Sequence, residues 1–395
     1  MKILVIALAL SAPLIHAQDF TKTPKINERA AAGDSPDNPG PLAADLSPAL
    51  THKDIRAAMK KVADWQVATG EPRFNQLWTM SALYDGLLAY SQQTKDNSPH
   101  DAVLRMAEHF KWQLVEDRFP HADDEHLAFS YLNLYTEHPS PERIAATRAM
   151  ADRLIARPDE AKPVWWWCDA LYMAPPVLVR LSKITGDRKY ITYMDHEWDV
   201  TAALLYDKDE QLYFRDASYL KKTEKNGKKL MWSRGNGWVV AGLAMILNDL
   251  PAKDPLRPKY EALFRTMVTR IASLQGADGL WRTGLLDQES YKNAEISGSA
   301  FFTYAMAYGI NHGLLDRKVF APKVEKAWGA MVAHIYADGR LGSIQPVGAA
   351  PDDFQLSSSY VYGVGGFLEA GSEIDRMIDA KGPHYKARPI EKPAK

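Results

Sequence analysis

Residues 161–176, AKPVWWWCDALYMAPP, set three tryptophans, Trp165 to Trp167, and the only cysteine, Cys168, directly before a carboxylate, Asp169. An aspartate where a helix begins is an ordinary cap, accepting backbone N–H bonds and favoured by the helix dipole. Tryptophan rings also exclude water from a carboxyl group and raise its pKa, which keeps an acid protonated near neutrality and able to donate. Both readings are open for Asp169. A second source of carboxylates is FPHADDEHLAFSYLNLY, 119–135, where Asp123 and Asp124 start a helix and Glu125 and His126 follow. Capping and a solvated acidic turn explain this stretch equally well. Its functional reading is that one of these groups partners Asp169 across a cleft, one carboxyl donating a proton while the other orients water.

Cationic and aromatic residues cluster in LMWSRGNGWVVAGLAM, 230–245. A Gly-Asn-Gly turn there lets backbone approach closely before a helix resumes. Arg234 offers a planar fork matched to a carboxylate, and Trp232 and Trp238 offer faces for sugar rings, although an Arg between aromatics is often only a cation–π contact. Upstream, LYFRDASY supplies Arg215 and Asp216, a second cationic contact or simply an ion pair. In the C-terminal third, Ser297, Gly298 and Ser299 precede aromatics and suit close helix packing, with Glu295 and Tyr362 as weaker site candidates. No G-x-x-x-x-G-K-[ST], H-E-x-x-H or G-x-S-x-G is present, and one cysteine cannot build a Cys-rich zinc site. Neither a metal nor another cofactor is implied.

The elements that must position these groups are helical. Helix-period segments recur at roughly 52–68, 77–95, 99–117, 124–137, 141–157, 169–186, 187–206, 236–250, 255–275, 294–313, 318–336 and 356–374, with scarcely one convincing strand. About twelve helices in one domain-sized stretch suggest six αα-hairpins, either closed into an (α/α)6 toroid or left as an open solenoid of the same periodicity. With 11 Trp and 18 Tyr, many beside loops, a concave sugar site fits better than a protein-binding groove. A net charge of −1 offers no long-range attraction to nucleic acid or anionic membrane. MKILVIALALSAPLIHAQ has one Lys, an apolar run and a small-residue boundary near Ala17, the pattern of a removable secretory signal, so a periplasmic or secreted enzyme is expected with no membrane contact after cleavage. Residues 18–48, rich in Pro, Asp and Asn, read as a flexible linker, 49–380 as the catalytic domain and 381–395 as a tail. A lone cysteine in an exported chain is most simply an apolar filler.

The pieces WWWCDALYMAPP, WSRGNGWV, DGLWR, SGSAFFTYA and YGVGGFLEAGSEI, spread in order from about Trp78 to Ile374, resemble glycoside hydrolase family 105, the unsaturated rhamnogalacturonyl hydrolases, with the family 88 unsaturated glucuronyl hydrolases as near relatives. The resemblance implies an all-α (α/α)6 barrel and removal of a 4,5-unsaturated uronic acid from the non-reducing end of a lyase-cut oligosaccharide. A general acid then protonates C4 of the vinyl ether and water adds at C5, unlike ordinary two-carboxylate glycoside hydrolysis at the anomeric carbon. By position, Asp169 matches the family's general acid/base and Trp167 an aromatic wall. Trp232, Arg234 and Trp238 match substrate-contacting residues. The second carboxylate falls in ADDEH, with Asp124 favoured as catalytic and Asp123 as a substrate contact. Many members carry a His where this chain has Arg215–Asp216, a departure bearing on substrate preference. A polysaccharide lyase or conventional glycosidase on the same toroid, and a non-catalytic sugar-binding module, are the alternatives.

Overall fold

The computed structural model describes residues 19–158 and 163–379. The signal segment and the tail from 381 lie outside these residues. Among them, twelve helices of eleven residues or more follow one another: α1 His52–Gly70, α2 Trp78–Thr94, α3 Asn97–His109, α4 Leu127–Glu137, α5 Pro141–Ile155, α6 Pro175–Thr185, α7 Lys189–Leu205, α8 Ser233–Asp249, α9 Arg257–Ser273, α10 Ile296–Asn311, α11 Arg317–Val332 and α12 Val361–Asp379. Strands are confined to two-residue pairs.

Local chemistry explains most boundaries. Thr51, Asp96 and Asp316 accept backbone N–H bonds at the starts of α1, α3 and α11, and proline opens α5, α6 and α9, where its missing N–H costs nothing. The helix expected over 99–117 stops at His109 because Lys111 and Trp112 turn to positive φ. The helix expected over 169–186 breaks into Ala170–Met173 and α6, since Pro175 and Pro176 cannot continue the hydrogen-bond ladder. The Gly-Asn-Gly turn is instead the first turn of α8. Asn236 exchanges bonds with both backbone groups of Tyr213, at 2.8 and 3.0 Å, so the helix begins three residues earlier than the periodicity suggests.

Even-numbered helices form an inner ring in which α2 packs on α4, α4 on α6, α6 on α8, α8 on α10 and α10 on α12. The ring closes where α12 meets α2, so closely that a Cβ on Gly86 would fall 2.4 Å from the Gly365 carbonyl oxygen. Odd-numbered helices pack outside, α3 on α2, α5 on α4, α7 on α6, α9 on α8, α11 on α10 and α1 on α12. Closure turns the hairpin array into an (α/α)6 toroid. Because successive helices alternate direction and every second one is inner, all six inner helices begin at the same end, and their positive dipole ends converge on one rim. Buried Trp238, Tyr172 and Phe301 touch one another inside the ring and floor the funnel beneath that rim.

Residues 19–50 do not hang free as a linker would. Leu42 bridges Tyr336, Ala43 N donates to Ile335 O, and Gly33–Asp34 pair with Ser359–Tyr360. Backbone pairing with the rim substitutes for the hydrophobic periodicity that this segment lacks.

Candidate active site

The first site element is the turn before α6. Trp165 is buried in the core, Trp166 is 46% exposed, and Trp167 lies in the wall at 3%. Trp167 bridges Asp216, and Cys168 N donates to Arg215 O at 2.8 Å, which draws the Arg215 side chain alongside Asp169. Asp169 occupies the N-cap position of Ala170–Met173 yet makes no capping bond. Its Oδ2 instead accepts from Arg215 Nε at 3.3 Å, while Arg215 Nη1 donates to Asp216 at 2.7 Å. Arg215 is therefore an ion-pair bridge from Asp169 to Asp216, lying over the Trp166 ring. Burial raises the Asp169 carboxyl above the usual carboxylate range, with Arg215 and Arg234 pulling against it. Cys168 is fully buried and burial pushes its thiol up, so it is a packing group.

Facing it is the turn before α4. Arg118 clamps Asp124, with Nε 2.9 Å from Oδ2 and a second, shorter contact from Nη2 to Oδ1. Asp123 has no such clamp. Burial first and the charge of Asp169 second push its carboxyl up to about 8, against the pull of Arg118. The carboxyl that feels the charge of Asp169 is therefore Asp123, one residue before the expected Asp124, and Asp124 is clamped by Arg118. Glu125 turns away and is pushed up to about 8 by burial and Asp124. His121, which the sequence reading passed over, tilts over Trp167 with ring centroids 4.8 Å apart and Nδ1 3.7 Å from Asp123. Burial and Arg118 lower its pKa to about 4, so a neutral imidazole sits at the carboxyl pair.

The two turns are held together from beneath. Buried His126 faces Met173 O with Nδ1 at 3.0 Å and Asp85 with Nε2 at 2.9 Å. A carbonyl only accepts, so Nδ1 donates, and one ring ties the Asp123 turn to the Asp169 turn. Ser130 donates to the other Asp85 oxygen at 2.7 Å.

The start of α8 is different. Arg234 donates to the carbonyls of Gln345 and Pro346 at 2.7 and 2.8 Å and lies between the Trp232 and Tyr362 rings. Trp232 donates to Gln345 Oε1 at 2.8 Å, and Trp238 is 1% exposed. These three, expected as substrate contacts, stand in the wall and floor of the funnel, with the Arg234 fork and the Trp232 N–H bonded to Gln345 and Pro346 while Arg234 Nε meets no partner among the described residues. Glu295 accepts from Ser297, Gly298 and Gln345, and the Tyr362 hydroxyl donates to Gln345 O. The accessible aromatic on this side is Trp78, half-buried, stacked on Tyr362 at 5.4 Å and set edge-on to Trp238. Its partial exposure at a helix start is not a sequence signal. Among the described residues, no three His, Cys, Asp or Glu side chains are grouped as a metal site. The arrangement suits an anionic sugar: aromatic walls, converging helix N-termini, Arg118 and Arg215, and a coupled pair of carboxyls.

Comparisons with known proteins agree with this chemistry. The family described as Glycosyl Hydrolase Family 88 matches residues 50–378, so the match falls on family 88, where the sequence resemblance had put 105 first. A protein of Formosa agariphila named unsaturated 3S-rhamnoglycuronyl hydrolase is 41% identical over 83% of this chain and 92% of its own. A solved glycosyl hydrolase family 88 protein from Bacteroides vulgatus is 31% identical, with TM-score 0.79, covering 83% of this chain and 99% of its own. A structure named as a polysaccharide lyase is 30% identical, with TM-score 0.80, covering 84% and 99%.

Proposed function

Because the chain belongs to Glycosyl Hydrolase Family 88, we propose that this hydrolase, which removes a 4,5-unsaturated uronic acid from the non-reducing end of lyase-generated oligosaccharides, works through Asp169 and Asp123. The observation that carries the assignment is the carboxyl pair: both groups are raised by burial, neither is used as a helix cap, and the charge of Asp169 raises Asp123 further. Two carboxyls so coupled do not both ionise cheaply, so the pair holds a proton near neutrality.

The proton rests on Asp123, with its carboxyl raised to about 8, and passes to Asp169. From there it goes to C4 of the C4=C5 vinyl ether, which leaves Asp123 a carboxylate and the positive charge at C5 shared with the ring oxygen. Water adds at C5 and gives its proton to the Asp123 carboxylate, restoring one proton to the pair. The hemiketal opens, and C1 then releases the neighbouring sugar without further help from the enzyme. Trp167 and the neutral His121 ring keep bulk water from the pair, and Trp78 offers a stacking face. Arg118 and Arg215, with the inner helix N-termini, favour the substrate's carboxylate.

The name of the Formosa relative supports an unsaturated rhamnoglycuronyl oligosaccharide as substrate. The signal-like first residues support export to the periplasm or beyond. The neighbour named as a lyase makes a lyase reaction the second reading. Ultraviolet absorbance separates them: hydrolysis removes the conjugated enol-carboxylate chromophore from lyase products, and a lyase creates it from intact polysaccharide. An enzyme that leaves the chromophore of lyase products untouched overturns the assignment.

A further inference from the structure

The three tryptophans before Asp169 do not share a fate. Trp165 and Trp167 are buried, whereas Trp166 between them is turned out to solvent. Backbone bonds on both sides of Trp166 fix this division. Thr201 Oγ1 donates to Trp165 O at 2.7 Å, Trp167 bridges Asp216 antiparallel, and Cys168 N donates to Arg215 O at 2.8 Å. Among the described residues, Trp166 is the one exposed Phe, Tyr or Trp. Keeping so large an apolar ring in water forgoes stabilisation that its burial would supply.

The ring is braced rather than loose, and two independent contacts place it beside the carboxyl pair. On one side the Arg215 guanidinium carbon stands 5.6 Å from the Trp166 centroid, and Nε of the same guanidinium donates to Asp169 Oδ2 at 3.3 Å. On the other, a row of rings runs from Trp166 to Trp167 and on to His121, with centroids 4.7 and 4.8 Å apart, and His121 Nδ1 is 3.7 Å from Asp123. Exposure rises outward along these contacts, from 8% at Asp169 to 46% at Trp166. An enzyme that removes a non-reducing terminal residue takes that end inward, with C4 toward Asp169, so the rest of the oligosaccharide leaves the funnel past its more exposed groups.

We propose that Trp166 is the stacking platform of the leaving-sugar subsite, its open face packing against the apolar C–H face of the pyranose joined to the unsaturated uronide. The assignment rests on the proposed function. Stacking covers the ring surface that folding leaves in water, and a ring already held by Trp167 and Arg215 loses little freedom when it binds. The platform touches a part of the substrate that is not chemically changed. It therefore governs which leaving sugar is accepted, while proton transfer stays with Asp169 and Asp123.

The test is kinetics of Trp166→Ala and Trp166→Phe on lyase-generated oligosaccharides and on the methyl glycoside of the same unsaturated uronide, followed by loss of the chromophore. For Trp166→Ala, kcat/KM on the oligosaccharides is expected to fall about tenfold, the worth of one well-made aromatic contact. On the methyl glycoside, which has no sugar to stack, it is expected to change by less than about twofold. Trp166→Phe, which keeps a ring, recovers part of the loss. The alkaline limb of the kcat profile stays in place in Trp166→Ala, since the platform does not act through Arg215. Unchanged kinetics on both substrates overturn the proposal. An equal loss on both, or a displaced alkaline limb, also overturns it and makes Trp166 a brace for Arg215. A wild-type protein that consumes neither substrate overturns the proposed function, and this inference falls with it.

Discussion

The starts of α6 and α8 carry the same ingredients, tryptophans beside a charged residue at the mouth of the toroid, and they do opposite work. At α8 the polar groups are largely satisfied: the Arg234 fork reaches two backbone carbonyls, Trp232 binds Gln345, and the nearby Glu295 accepts from three residues. At α6 and the facing turn before α4, buried Asp169 and half-buried Asp123 meet few donors, and their pKa values rise. Satisfied buried groups rigidify a scaffold, while under-satisfied ones hold the potential for proton transfer. Residue type therefore does not separate wall from reagent here. The count of hydrogen bonds does.

The largest effect expected from breaking this contrast is at Asp169. Asp169→Asn keeps shape and loses the transferable proton, so kcat falls about 10³-fold or more with the melting temperature retained. Turnover near wild type in chromophore assays would reject the carboxyl pair as the reagent. Asp123→Asn is expected to cost about 10²-fold in kcat and to stabilise the fold. A carboxyl raised to about 8 contributes its full stability below its unfolded pKa and loses it as the pH climbs through about 8. The amide does not ionise, so the variant should gain about 1–2 kcal/mol over wild type in denaturant titrations at pH 8 and little at pH 5. Asp124→Asn, if it were the more damaging of the two, would reverse the register assigned here.

On the scaffold side, Arg234→Met removes one donor from each of the Gln345 and Pro346 carbonyls and is expected to cost about 3 kcal/mol of stability by denaturant titration. A variant as stable as wild type, with only KM raised, would make Arg234 a substrate contact after all. His126→Gln loosens the tie between the two acid turns, with kcat expected to drop about tenfold while KM holds. The smallest effect is at Arg215. Its charge holds the Asp169 carboxyl down against burial, so Arg215→Met should move the alkaline limb of the kcat profile upward. A downward shift would contradict the ion-pair geometry.

Much of this was legible in the chain. The periodicity marked all twelve helices, most within a few residues at each end, and the failures have local causes in the positive φ of Lys111 and Trp112 and in the Pro175–Pro176 pair. Asp169 beside its tryptophans was legible as a desolvated acid. The choice between Asp123 and Asp124 was not, because one residue turns a helix start by about 100°, and only the neighbouring elements reveal which carboxyl then faces the cleft. His121 and Trp78 carry no motif at all, and their roles arise from contacts with Trp167 and Tyr362, far away in sequence.

By itself the sequence determined an all-helical hairpin array and the helix starts at which charged and aromatic residues gather, since periodicity, caps and prolines act over a few residues. Only the tertiary structure decided that the array closes, that Arg234 is bonded into the wall while Asp123 has no clamp, and that the N-terminal segment is pinned to the rim. Each of these depends on which distant groups satisfy a polar atom, and that is set by packing around the whole ring.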